Sequence, residues 1–155
     1  MSVFTKTTAT WAADNQGIGK PWDGISGVYV MKEILTINTT NFATGWATGD
    51  IIQVFDVPAD TIVRDVILNV TTACDSTATG ATATVTVGDA VTANGFDASA
   101  DIATVGVYRT AAADTNGALD GKHYLTTDTI DIVVTTDATL TTGVIEVFAI
   151  CYDLS

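Results

Sequence analysis

Apolar residues recur at every second position through most of this chain, the period of a half-buried β-strand. Eight segments carry the pattern: 28–38 (VYVMKEILTIN), 50–57 (DIIQVFDV), 61–73 (TIVRDVILNVTTA), 81–87 (ATATVTV), 104–110 (TVGVYRT), 122–127 (KHYLTT), 129–135 (TIDIVVT) and 143–152 (GVIEVFAICY). Turn-forming residues fall between them: Gly45, Gly49 and Asp50, Pro58 to Asp60, Asp75 to Gly80, Asn94-Gly95, Asn116-Gly117, Asp120-Gly121, and Asp137 to Gly143. No segment sustains a 3.6-residue apolar period, so no long helix is expected. The pattern predicts an all-β, eight-stranded antiparallel jelly-roll sandwich over 28–155, with the long connection 88–103 as a crossover. Residues 1–27 hold Phe4, Trp11 and Trp22 without alternation and read as an extended N-terminal arm, either anchored in a partner or folded back on its own core.

Two strands are apolar on both faces. In 143–152 one face carries Ile145, Val147, Ala149 and Cys151, and the other Val144, Glu146, Phe148, Ile150 and Tyr152. In 28–38, Val28, Val30 and Ile34 alternate with Tyr29, Met31, Leu35 and Ile37, each face broken by one charge, Lys32 or Glu33. An antiparallel sandwich that stands alone leaves one face of each sheet polar. Covering a few hundred square ångströms of apolar surface, at about 25 cal/mol per Å², is worth several kcal/mol. Val144, Phe148, Ile150 and Tyr152 are therefore the expected oligomer interface, unless the arm or a long loop covers them within one chain.

Composition agrees with a folded β domain. Of 155 residues, 47% are hydrophobic and only 15% charged, far from the signature of disorder. No stretch approaches the roughly 18 uninterrupted apolar residues of a membrane helix, and the first residues lack the charged, apolar, small-residue order of a secretory signal, so synthesis in the cytoplasm is expected. Eighteen acidic residues against six basic ones give a net charge of −12, which repels phosphate backbones and argues against nucleic acid as a partner. Through Trp22 the chain carries Lys6, Lys20 and Asp14, a sum of +1, leaving −13 for the remainder.

Candidate chemistry is sparse. Counting an EF-hand from Asp89 puts Val91 and Ala93 where oxygen ligands belong, and Asp97 and Asp101 have no flanking carboxylate to complete a cage. These aspartates are expected to shape turns and keep the surface soluble. A single histidine, His123, cannot build a zinc or cupin-type centre and is expected at a strand edge. The sequence DGISGV around Ser26 has Val28 where a nucleophile elbow needs its final glycine. Sixteen aspartates leave a glycosidase-type carboxylate pair arithmetically open, but nothing places two acids together. No enzyme activity, cofactor or metal is expected. If the third and eighth strands are antiparallel neighbours, Cys74 lies beside Gly143 and away from Cys151, so both cysteines are expected as free thiols.

The segments TIVRDVILNVTTACDSTATGATATVTVGD, NGFDASADIATVGVYRT and TTDTIDIVVTTDATLTTGVIEVFAICYDL, in that order, resemble the small jelly-roll structural proteins of tailed double-stranded DNA phages, above all the cement or decoration proteins of the capsid exterior. The resemblance covers roughly 28–155. It implies a homotrimer on the outer capsid surface of the virion, near threefold positions, bound to the major capsid protein and holding neighbouring capsomers together. An arm bearing Phe4, Trp11 and Trp22 would insert among capsid subunits. The competing expectation is a jelly-roll binding module of a phage fibre or spike that recognises host carbohydrate, for which Trp46 beside Asn41 and Asp50 is the candidate cluster.

Overall fold

The computed structural model describes residues 3–5, 27–38, 45–76, 82–109, 121–135 and 139–154. Ten strands form two five-stranded sheets: β1 Val3–Thr5, β2 Val28–Asn38, β3 Ile51–Val57, β4 Thr61–Ser76, β5 Thr84–Asp89, β6 Asp97–Asp101, β7 Gly106–Arg109, β8 Lys122–Tyr124, β9 Asp128–Val134 and β10 Leu140–Asp153. One sheet has the order β1-β3-β9-β5-β6; the other has β2-β10-β4-β7, with β8 also on β4. Apart from the parallel β1–β3 pair, every pairing is antiparallel. Strands from β2 onward pass back and forth between the sheets, which gives the jelly roll that the alternation predicts. No helix long and apolar enough to cross a membrane occurs among the described residues.

Among the described residues two strands were not expected: β1, in the segment read as an arm, and β6 within the sandwich. Asp97–Asp101 lies inside the segment expected as a crossover and instead forms a hairpin with β5, pairing Val85 with Ala100. Its sequence, DASAD, offers no β-branched or aromatic residue; Ala100 alone turns into the core, and the strand is held by its backbone ladder at the sheet edge. Strands β7 and β8 run in the same direction along β4, opposite Ile67–Val70 and Thr61–Val63 respectively, as two parts of one interrupted edge.

The core forms where the inward-facing rows meet. Ile145, Val147, Ala149 and Cys151 of β10 are fully buried against Val63, Val66, Leu68 and Val70 of β4 and against Ile130, Ile132 and Val134 of β9. Thr84 and Thr86 of β5 face outward while Ala83, Val85 and Val87 face the core, as the alternation requires.

Register sets the cysteines. Cys74 sits near the end of β4 and Gly143 near the start of β10, so close that a Cβ on Gly143 would overlap the Cys74 Sγ. Both cysteines are free and buried. Burial pushes each thiol up to about 12. Thiol labelling is expected to find no reactive group in the native protein at pH 8 and two after denaturation without reductant; zero after denaturation would mean a disulfide.

Candidate assembly surface

The outer face of the β2-β10-β4-β7 sheet is built in rows across the strands. Val28 stands beside Tyr152 and Ile62, Val30 beside Ile150 and Asp65, Lys32 beside Phe148, Ile67 and Arg109, and Ile34 beside Glu146, Asn69 and Val107. Val144, Phe148 and Ile150 are half-buried here and Tyr152 is exposed. The structure thus brings the four expected interface residues onto one face and extends them with Val28, Ile34 and Val107.

Four charges on this face form two pairs. Lys32 Nζ donates to Glu146 Oε1 at 2.8 Å, Asn69 Nδ2 donates to Glu146 Oε2 at 2.8 Å, and Arg109 reaches Asp65 Oδ2 at 3.0 Å. The Lys32 ammonium also lies 5.2 Å from the centre of the Phe148 ring. The bonds from Lys32 and Asn69 hold the Glu146 carboxyl below its usual range. An apolar face whose acids already have basic or amide partners can be covered without stranding a charge.

Of the expected arm, the structure describes Val3–Thr5, which pairs in parallel with Ile51–Gln53 and extends the other sheet past β3. Trp11 and Trp22 lie outside the described residues, as does Asn41. The expected carbohydrate-binding cluster is corrected: Trp46 is 0% exposed within the core, bridged through its backbone to Leu140, and Asp50 is buried with its carboxylate accepting from the Ala47 N–H at 2.9 Å. An indole sealed between the sheets cannot stack on a sugar. The signal misread was the run of glycines and polar residues around Trp46, which suggests a surface loop.

The aspartates of the 89–101 segment bond to their own backbone. Asp97 Oδ1 accepts from Ser99 N and Asp101 Oδ1 from Ala103 N, each at 2.9 Å, as expected of turn-shaping residues. Asp89 departs from the expectation of a surface role. Its carboxylate is fully buried, accepts from Val91 N at 3.0 Å, Thr92 N at 2.9 Å and Tyr124 Oη at 2.9 Å, and pairs with Lys122. It ties the end of β5 in one sheet to β8 of the other. His123, between those two partners, is exposed on β8 and paired to Ile62. No group of three or more His, Cys, Asp or Glu side chains placed to hold a metal occurs among the described residues.

Asp131 is the opposite case. It is buried and one carboxylate oxygen, Oδ1, has no hydrogen-bond partner. Burial pushes its carboxyl above the usual range, and Asp128 and Asp89 add to the effect. A raised folded-state value stabilises the fold fully below about pH 3.9, the unfolded value, and that contribution is lost as pH rises through the folded value. Asp131→Asn is therefore expected to raise the melting temperature at pH 7 by a few degrees and to leave it near wild type at pH 3; equal effects at both would show that charge is not the cause.

The architecture places the chain among jelly-roll sandwiches. No family model and no curated protein matches it. Among solved structures it is similar to a chain of the capsid of Ralstonia phage GP4, at TM-score 0.66 and 17% identity over 99% of both chains. A chain of the cyanophage Pam1 capsid asymmetric unit matches at TM-score 0.64 and 21% identity, over 92% of this chain and 96% of that one. One from the acidic stable capsid of Helicobacter pylori bacteriophage KHP30 matches at TM-score 0.54 and 18% identity, over 84% and 90%. At these identities the likeness is one of fold.

Proposed function

We propose that this chain is a structural, non-catalytic protein of a phage virion: a cement or decoration protein that sits on the outer capsid surface as a homotrimer and binds the major capsid protein. The observation that carries the reading is the apolar, charge-paired outer face of the β2-β10-β4-β7 sheet. Val144, Phe148, Ile150 and Tyr152 form the contact between copies. The fold shared with chains of three phage capsid structures supports a capsid setting. A net charge of −12 suits a position outside the shell, away from packaged DNA. Residues 1–27 serve as an arm whose Phe4, Trp11 and Trp22 contact neighbouring capsid subunits.

Sedimentation equilibrium at micromolar concentration tests the trimer. A species of about three times 16.1 kDa is expected, and a clean 16.1 kDa monomer rules the contact out. Phe148→Asp with Ile150→Asp places two charges per copy inside the proposed contact and is expected to weaken association at least about 100-fold while the monomer stays folded. Copy number separates cement from other virion roles: hundreds per particle are expected, and a few dozen would indicate a fibre or spike.

A further inference from the structure

Five of the large apolar side chains that stand exposed gather at one end of the sandwich. Val91 tips the β5–β6 hairpin at 82% exposure, Leu125 follows β8 at 71%, Val28 opens β2, and Tyr152 and Leu154 close the chain on β10. Pairing proves the common location. Tyr124 lies opposite Thr61, Asp153 opposite Thr61 from the other side, Tyr152 opposite Val28, Asp128 opposite Val57, and Asp89, two residues before Val91, opposite Ile130. Scattered exposed apolar residues need no explanation, and loop tips ordinarily carry Gly, Asn, Asp or Ser. Val91 and Leu125 at neighbouring tips depart from both patterns.

These tips stand on a rigid base. The Asp89 carboxylate fixes the Val91 and Thr92 amides from within, and through Tyr124 and Lys122 it clamps the strand that leads to Leu125. Thr92 O accepts from both Asp89 N and Gly95 N at 3.0 Å, closing the hairpin tip, and Leu154 N donates to Asp60 O at 2.9 Å. A Cβ on Gly88 would run into the carbonyl of Thr92, so the tip is pressed flat against β5. Apolar residues held this way keep their positions without a partner, which lowers the entropy lost on docking.

Charge selects the occupant. Asp56, Asp60 and Asp128 lie at this end, where β3 turns into β4 and β9 begins, and outnumber the two basic residues near Val63, Arg64 and Lys122, of which Lys122 is engaged by Asp89. A second copy, with the same acidic rim, would be repelled end to end. In a closed ring of copies joined through the sheet face, the same end of every copy lies at one level along the axis, so one flat partner can meet all of them. We propose that this end, at Val91, Leu125 and Leu154, docks the oligomer onto the capsid shell, in an apolar depression rimmed by Lys or Arg. This rests on the shell-binding role proposed above and assigns the contact to Val91, Leu125 and Leu154, while Val28 and Tyr152 at the same end belong to the face that joins the copies.

The test pairs Val91→Asp with Leu125→Asp and measures co-sedimentation with shells assembled from the major capsid protein of the phage that carries this chain. The double variant is expected to keep the wild-type oligomeric state and melting temperature and to bind shells at least about tenfold more weakly, a loss amplified by multivalency. Wild-type binding is expected to fall as salt rises from about 0.05 to about 0.5 M. Binding of the double variant equal to wild type overturns the proposal while leaving the cement role intact. Wild-type protein that ignores the shells overturns both. If the aspartate variants fail to fold, Val91→Ser with Leu125→Ser carries the same readout.

Discussion

Asp89→Ala is expected to destabilise the fold by about 3–4 kcal/mol, on the order of 10 °C in melting temperature. The carboxylate is fully buried and accepts two amide hydrogen bonds, one phenol hydrogen bond and the Lys122 ammonium. Removing it leaves the Val91 and Thr92 amides without their acceptor at a part-buried tip and the Tyr124 hydroxyl without one in the core, where water does not reach easily. Lys122 moderates the loss, because a third of its side chain is already exposed and it can turn toward solvent. Burial alone would raise the Asp89 carboxyl, but Lys122, the Thr92 amide, Tyr124 and the Val91 amide outweigh it and hold the value below the usual range. A depressed value means that this stability is present above about pH 3.9 and is lost as pH falls through the folded value. Chemical denaturation at pH 7 and pH 2 checks both statements: the wild type and Asp89→Ala differ widely at pH 7 and by less at pH 2. A difference of under 1 kcal/mol at pH 7 would show that the clamp is dispensable.

Gly143→Ala is the second large effect, expected at about 2–4 kcal/mol. Gly143 has φ +144°, a conformation that side chains rarely adopt, and the new methyl would collide with the Cys74 side chain and approach its Cα. The two costs separate experimentally. Cys74→Ala removes the sulfur but not the backbone strain, so Gly143→Ala combined with Cys74→Ala should cost less than the sum of the single changes, by about 1 kcal/mol or more. Strict additivity in urea unfolding would place the whole effect in the backbone.

The same pair shows what could be read from residues alone. Once Thr61 onward and Gly143 onward are taken as antiparallel neighbours, Cys74 must fall beside Gly143, and it does. Strand β10 was legible because its two rows, Ile145 to Cys151 and Val144 to Tyr152, alternate without interruption. Strand β6 was not, since alanine, serine and aspartate carry no period; the backbone of β5 recruits it. Trp46 was misplaced because local polarity outweighed the pull of a large indole toward the core. The burial of Asp89 depends on Lys122 and Tyr124, 33 and 35 positions away, and no local pattern announces a partner at that separation. The apolar end was hidden for a related reason: its members come from four separate stretches of chain, and only strand register gathers them.

The edge formed by β7 and β8 has a practical consequence. The chain leaves β4 at Arg109 opposite Ile67 and rejoins it at Lys122 opposite Val63, heading the same way. Both attachment points are fixed by ladders that do not depend on how many residues lie between them, and doubling the length of such an excursion costs only about 0.6 kcal/mol in closure entropy. A peptide spliced between Arg109 and Lys122 would therefore stay anchored on β4 at both ends, which makes this connection the one whose length the fold constrains least.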